Sequence, residues 1–375
     1  MRKKLFTSES VGAGHPDKIC DQISDKILDA VLEQDENARV AVECMASNRL
    51  IIIGGELTTN GYVDFVAKAW EVLSNLGYTE NDFTIISNVN SQSPDINQGV
   101  DKKDGEIGAG DQGIMFGYAT NETEEFMPLP ISIAHELAKE AERLRKTGEF
   151  KWAKSDLKTQ VTIDYSTDKP TVDTILMSVQ HAADYNEAEF KKYIKEQIME
   201  KVVEKYGMNK DFKIFINPTG KFVIGGPIGD TGLTGRKIII DTYGGMGRHG
   251  GGAFSGKDYT KVDRSAAYAA RWVAKNAVAA GFADELEIQL SYAIGVSEPI
   301  SISVNTFGTE KFSHDAIEKA IRETFDLRPG AIIKELGLRK PIYFQTSTFG
   351  HFGRKDLDLP WEKLNMVDKL KNKIA

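Results

Sequence analysis

Leu286-Glu287-Ile288-Gln289-Leu290-Ser291-Tyr292-Ala293-Ile294 and Ile300-Ser301-Ile302-Ser303-Val304-Asn305-Thr306 read as two strands joined across Ser297-Glu298-Pro299. Apolar and polar residues alternate through both, the period of a half-buried strand. A connection this short forces an antiparallel pair, because a parallel return needs a crossover of a dozen or more residues. Working outward, further strands are predicted at 38–45, 49–54, 159–165, 172–180, 212–217, 222–225, 237–242 and 341–346, several in adjacent pairs. Ile19, Ile23, Ile27 and Val31 recur every four residues and mark a helix over 17–34; others are predicted at 61–77, 131–147, 187–206, 263–280 and 314–325. Paired strands with helices on one face define an α+β architecture rather than a doubly wound parallel sheet.

The chain has 375 residues, enough to bury a sizeable core in two or three domains or one elaborate one. Charged residues make up 27% and aromatics 9%, which excludes wholesale disorder. No apolar run approaches 18 residues, so no spanning helix is expected. Met1-Arg2-Lys3-Lys4 is basic like a signal peptide, but Thr7-Ser8-Glu9-Ser10 interrupts any apolar segment, and a cytoplasmic chain is expected. Cys20 and Cys44 are too few for a disulfide framework or a four-thiolate zinc site and should pack as small apolar groups. Ile51-Ile52-Ile53-Gly54-Gly55-Glu56 resembles Phe222-Val223-Ile224-Gly225-Gly226-Pro227 and hints at a diverged internal repeat. Junctions are expected in the Pro/Gly/Asp-rich 91–113 stretch and near Gly225. No low-complexity linker intervenes, so the pieces should pack tightly.

Net charge is −8, which argues against a nucleic-acid surface, yet the charge is uneven. Residues 1–100 hold 8 Lys/Arg against 15 Asp/Glu, whereas 235–264 gathers Arg236, Lys237, Arg248, Lys257, Lys261 and Arg264 against Asp241, Asp258 and Asp263. A positive pocket inside a negative protein suits a compact anion. The same region is dense in glycine: 12 of 34 fall within residues 225–256. Glycine costs roughly 0.5–1 kcal/mol in a regular element, so such density marks backbone that must approach something closely. Tyr243-Gly244-Gly245-Met246-Gly247-Arg248-His249-Gly250-Gly251-Gly252-Ala253-Phe254-Ser255-Gly256-Lys257-Asp258 combines free backbone N–H groups with cations, the makings of a phosphate cradle. Gly251 to Lys257 also matches part of a P-loop after the strand predicted at 237–242. Asp258, however, stands where that motif needs Ser or Thr for Mg²⁺. A P-loop ATPase or kinase is therefore the alternative reading.

Gly14-His15-Pro16-Asp17-Lys18 opens the first helix, with Pro16 and Asp17 suited to its first turn. Read plainly, this is a capped helix with a spectator histidine; read functionally, His15 faces a phosphate while Asp17 holds a metal. Mg²⁺ takes one or two carboxylates besides phosphate oxygens and water, and Asp263 is the second candidate. Ser93-Pro94-Asp95-Ile96-Asn97-Gln98-Gly99 and Gly110-Asp111-Gln112-Gly113 are turns, the former a possible active-site loop. Glu43 and Glu56, in or just after strands, read as solvent-facing. The six histidines lack metal-ligand spacing and there is no Gly-x-Ser-x-Gly elbow, which sets aside zinc enzymes and hydrolase triads.

Gly14–Lys18, Gly108-Ala109-Gly110-Asp111-Gln112-Gly113 and Gly250–Asp258 together resemble the S-adenosylmethionine synthetase family, and the likeness runs from Phe6 to Arg354. Two departures are Ala13, where the family commonly has Glu, and Lys221, where it has Arg; the second keeps a cation but loses a planar fork. The resemblance implies three similar domains with pseudo-threefold symmetry, approximated as 1–100, 108–225 and 227–375, with segments exchanged in space. It implies a homodimer with shared active sites, usually paired into a tetramer. Methionine sulfur would attack C5′ of ATP, and the released triphosphate would be cleaved to pyrophosphate and phosphate, with two Mg²⁺ and one K⁺ per site. Carried over, the catalytic set is His15, Lys158, Arg236, Lys237, Lys257 and Lys261. ATP would meet His15, Asp156, Lys158, Lys221, Phe222, Asp230, Arg236, Lys237, Ala253 and Lys257. Methionine would meet Glu56, Gln92, Asp111, Asp230, Lys261 and Ile294. Asp17 and Asp263 would hold Mg²⁺ and Glu43 K⁺. A thioether is a neutral nucleophile needing no general base, so alignment and stabilisation of the departing charge must do the chemistry. Attack must also outcompete hydrolysis, which a closing loop at 92–102 would serve.

Overall fold

The computed structural model describes residues 4–91 and 107–374. Eleven strands follow one another among these: β1 (Leu5–Val11), β2 (Arg39–Ser47), β3 (Leu50–Thr58), β4 (Thr84–Asn90), β5 (Gly113–Thr120), β6 (Ala153–Asp164), β7 (Thr171–His181), β8 (Lys213–Ile216), β9 (Gly232–Leu233), β10 (Glu285–Tyr292) and β11 (Ser301–Asn305). Four helices frame the argument: α1 (Pro16–Leu32), α2 (Phe65–Asn75), α3 (Leu129–Lys146) and α4 (Val262–Ala279).

The strands form three sheets, ordered β4-β3-β2-β9, β1-β6-β7-β8 and β11-β10-β5. Each sheet takes one strand from another part of the chain. β1, from the N-terminal stretch, pairs with β6 from Leu5 opposite Asp164 to Val11 opposite Lys158. β5 leaves the central stretch to pair with β10. β9 returns from the C-terminal stretch to β2 through Met45–Leu233 and Ala46–Gly232. The exchange is thus cyclic, and one long helix lies on each sheet: α1 on β2, α3 on β1 and β6, α4 on β5 and β10. Most pairings are antiparallel, but β3–β4 and β7–β8 are parallel, so two of the sheets are mixed.

Two apolar cores result. The larger joins α1, β2 and β3 to α4, β5, β10 and the C-terminal segment around Trp361; the smaller sits between α3 and the β6–β7 pair. Cys20 and Cys44 are buried free thiols in the larger core, packed as expected. α1 starts where its sequence says: Pro16 occupies the first turn and His15 caps it, Nδ1 accepting from Asp17 N at 3.2 Å.

The predicted helices appear within a few residues of their expected ends, though the 187–206 helix carries a π-helical turn at Ile194–Met199. Three predicted strands are absent. Residues 237–242 read as a strand because of the Ile238-Ile239-Ile240 run, yet Ile238–Asp241 is a helical turn, its Asp241 drawn inward to Lys18. Residues 222–225 form no strand; Phe222 exchanges hydrogen bonds with His181, its N–H donating to the ring Nε2. Residues 341–346 contain a 3₁₀ turn at Phe344–Thr346, pinned by Asp29. The suggested repeat fails with them, since Ile51–Glu56 lies in β3 and Phe222–Pro227 in a loop. β1, β4, β5 and β9 are additions. β5 was hidden by Gly113 and Gly117, but Gly117 is needed in the strand: a Cβ there would lie 2.1 Å from the Ala270 backbone of α4.

Candidate active site

The candidate residues divide into two clusters. The first surrounds the N-terminus of α1. Asp17 is fully buried, with its carboxylate 2.6 Å from Lys237 Nζ and 3.2 Å from Arg236 Nε, and it accepts Leu233 N–H at 2.9 Å. Burial pushes its pKa up, but the Lys237 hydrogen bond and the Leu233 N–H outweigh that, leaving it below the usual range. Burial, with Lys237 beside it, lowers His15 to about 3 despite the opposing Asp17. The imidazole is therefore neutral at pH 7. Because Nδ1 accepts from Asp17 N–H, the ring proton sits on Nε2, which is left as a donor.

Lys158 lies exposed on β6 opposite Val11, and its charge also depresses His15. Two residues earlier, Asp156 is buried. Its Oδ2 accepts Gly226 N–H at 2.8 Å while Oδ1 has no hydrogen-bond partner. Desolvation raises Asp156 to about 6. Exposed Asp230 lies close enough to contribute to that rise; Lys221 is exposed and Phe222 half-buried.

The second cluster is built on the glycine-rich loop and the start of α4. Lys257 Nζ pairs with Asp263 at 2.6 Å, and Lys261, which caps α4, pairs with Asp258 at 2.5 Å. The loop can pass over Asp263 because residue 252 is glycine; a Cβ there would lie 2.2 Å from the carboxyl carbon. Ala253 is half-buried beside Gly235, while Asp111 and Ile294 are exposed on turns.

Glu43 and Glu56 point out from the open face of the β4-β3-β2 sheet. The strand register gives this face three rows: Met45–Ile52–Ile86, Glu43–Gly54–Asn88 and Ala41–Glu56–Asn90. Its apolar row is unusually bare, with Met45 40%, Ile52 38% and Ile86 50% exposed. Gln92 and the 92–102 loop lie outside the described residues.

Among the described residues, no hydrogen bond or ion pair joins the first cluster to the second, although the loop backbones that carry them pack together at Gly235 and Ala253. Nor does any group of three or more His, Cys, Asp or Glu form a metal-binding set. The donors nonetheless fit Mg²⁺. Asp17 and Asp263 each offer hard carboxylate oxygens facing a lysine, one carboxylate per cluster, which suits an ion that keeps water and phosphate oxygens in its shell. The P-loop alternative does not survive. Gly251–Lys257 is preceded by a helical turn rather than a strand, and α4 begins only at Val262, so no helix N-terminus receives the loop.

Sequence reading found Asp17 but missed the carboxylates that continue its row. Asp21, Asp25 and Asp29 follow it at four-residue steps on α1, and all four are buried. Asp21 takes Gly235 N–H at 2.8 Å, Asp25 takes Gly256 N–H at 2.8 Å and Arg264 at 2.7 Å, and Asp29 takes Tyr343 and Phe344 N–H at 3.0 and 2.8 Å. Their spacing was the signal, equal to that of Ile19, Ile23 and Ile27. Lys18 bridges Asp21 and Asp241.

Three exchanged sheets thus surround a cation-lined, carboxylate-bearing helix terminus. The chain matches the N-terminal, central and C-terminal domains of S-adenosylmethionine synthetase over residues 3–97, 106–222 and 224–363. It is 67% identical over 372 residues to the S-adenosylmethionine synthase of Mycoplasmopsis pulmonis, covering 99% of both chains. It is 59% identical to that of Mycoplasma capricolum, over 99% of this chain and 97% of the other, and 54% identical to that of Clostridium tetani, over 99% and 100%. The chain belongs to the S-adenosylmethionine synthetase family.

Proposed function

We propose that this chain makes S-adenosylmethionine from ATP and L-methionine, acting as a methionine adenosyltransferase. The observation that carries the reading, beyond family membership, is the geometry of the first cluster: a buried histidine whose Nδ1 accepts the Asp17 N–H, leaving Nε2 as a donor, beside a carboxylate held by two cations. Attack of the neutral sulfur on C5′ needs no proton removed. It needs the triphosphate oxygens stabilised as charge gathers on them. His15 donates through Nε2 to the departing oxygen, and Lys158, Arg236 and Lys237 hold the phosphates from one side, Lys257 and Lys261 from the other. The orphan Oδ1 of buried Asp156 suits a sugar hydroxyl, whose donated hydrogen bond supplies its missing partner. Lys221, Phe222, Asp230 and Ala253 complete the nucleotide side, and Glu56, Gln92, Asp111 and Ile294 the methionine side. Asp17 and Asp263 would hold Mg²⁺, which would supply charge neutralisation on the triphosphate, and Glu43 would hold K⁺. The triphosphate is cleaved to pyrophosphate and phosphate before release.

That no hydrogen bond or ion pair joins the two clusters among the described residues supports a dimer in which each site takes one cluster from either chain. The bare Met45–Ile52–Ile86 row, flanked by Glu43 and Glu56 on the same face, is the surface suited to that contact. Pairing of dimers into a tetramer, the 1–100, 108–225 and 227–375 division and a cytoplasmic setting belong to the same reading. The test is to incubate purified chain with ATP, methionine, Mg²⁺ and K⁺ and to identify products by mass spectrometry and phosphate release. S-adenosylmethionine with pyrophosphate and phosphate, all absent without methionine, is expected; ADP as the product would overturn the assignment.

A further inference from the structure

The aspartates of α1 do more than fill a core. Successive members of the row are about 6 Å apart along the helix axis, and between them they accept backbone N–H groups from three segments: Asp17 and Asp21 from Leu233 and Gly235, Asp25 from Gly256, and Asp29 from Tyr343 and Phe344. Asp21 takes that of Gly235, the residue immediately before Arg236 and Lys237. Asp25 takes that of Gly256, immediately before Lys257, and its partner Arg264 donates to Phe254 O at 2.9 Å and Lys257 O at 3.3 Å. Asp29, also buried though 9% exposed where Asp21 and Asp25 are 0%, makes the same kind of bond to Tyr343 and Phe344, next to no candidate site residue.

We propose that Asp21 and Asp25 are positioning residues that fix the two cationic loops on a single helix, setting where Arg236, Lys237 and Lys257 present their charges. The inference rests on the proposed reaction. A buried carboxylate accepting an N–H at 2.8 Å leaves its loop little freedom, and a displacement of about 1 Å at a charge contact is enough to cost on the order of 10²-fold in rate. Nothing in this role requires Asp21 or Asp25 to touch substrate.

Asp21 carries the test, because removing its carboxylate leaves Lys18 still paired with Asp241. Asp21→Ala, Asp21→Asn, Asp25→Asn and Asp29→Ala are to be assayed for S-adenosylmethionine formation at equal folded protein, measured by circular dichroism, with kcat and both KM values determined separately. Asp21→Ala is expected to lose about 10- to 100-fold in kcat with each KM within about threefold. Asp21→Asn and Asp25→Asn, whose amide oxygens still accept the Gly235 or Gly256 N–H, should recover kcat to within about tenfold of wild type. Asp29→Ala should lose thermal stability but keep kcat within about threefold, since it anchors no cationic loop. If Asp21→Ala loses no more kcat than Asp29→Ala, the role is purely structural and the inference falls. It falls too if folded Asp21→Asn is as slow as Asp21→Ala. Wild-type chain that binds ATP but makes no S-adenosylmethionine overturns the functional reading itself, a result separate from either of these.

Discussion

The two clusters treat their carboxylates in opposite ways. Around α1, Asp17 is sealed from solvent and engages two cations and a backbone N–H, and His15 beside it is held neutral. On the other side, Lys257 and Asp263 remain about a quarter and a fifth exposed, and Glu43 and Glu56 stand open on a sheet face with an apolar row beside them. In the first cluster the carboxylate is already paired within the chain. In the proposed dimer the second is the surface that another copy would cover, placing its charges in a low dielectric, where they act most strongly. On the proposed reading a complete site takes both, the sealed cluster from one chain and the open one from its partner.

That comparison breaks or sharpens under mutation. Lys237→Ala and Lys257→Ala, one from each cluster, are each expected to lower turnover by about 10²-fold or more without unfolding the chain, the cost of one transition-state charge contact. Steady-state kinetics on well-folded variants checks this, and near-normal turnover from either would remove its cluster from the site. Ile86→Lys, placed in the bare row, should leave the monomer folded and weaken self-association. Forfeiting about 1.5–3 kcal/mol of apolar burial per chain raises the dissociation constant by about 10-fold or more, and activity should fall with the dimer fraction. Sedimentation and assay at matched concentrations read this out; an active monomer would show that the clusters meet within one chain.

A smaller effect is expected from Asp263→Asn, which should raise the Mg²⁺ concentration for half-maximal rate by about tenfold, as loss of a metal-affinity determinant does. An unchanged Mg²⁺ titration would free Asp263 from that role. The least effect concerns stability. Asp156 is raised to about 6 in the folded chain from 3.8, so folding disfavours its ionised form. That contribution to stability is present below the unfolded value and lost as pH rises through about 6. Asp156→Asn should therefore gain melting temperature over wild type at pH 8 relative to pH 4, while binding ATP more weakly. An equal offset at both pH values would contradict the shift.

Much of the fold was legible because alternation and helical spacing are local. The β10–β11 hairpin and the long helices follow from their own residues. The cyclic exchange was not, because β1, β5 and β9 are defined by partners more than a hundred residues away. The Ile238-Ile239-Ile240 run shows tertiary context overriding propensity: a β-branched stretch turns helical where Asp241 must reach Lys18. In the site, glycine density and clustered cations were plain in sequence. The solvent-facing reading of Glu43 and Glu56 matches their exposure in one chain, and that exposure is what a shared site requires of them. Asp21, Asp25 and Asp29 on α1 were overlooked because charge on a helix is ordinarily read as its solvated side, whereas here the helix is enclosed almost all round.

The central claim, that each chain carries two incomplete halves, is tested most directly by mixing. Lys237→Ala and Lys257→Ala chains, each nearly inactive alone, are co-refolded at equal amounts and assayed. A heterodimer then has one site with both lesions and one with neither, so random pairing predicts recovery to about a quarter of wild-type activity. A mixture no more active than its parents, with heterodimers demonstrably formed, would mean that Lys237 and Lys257 serve the same site from the same chain.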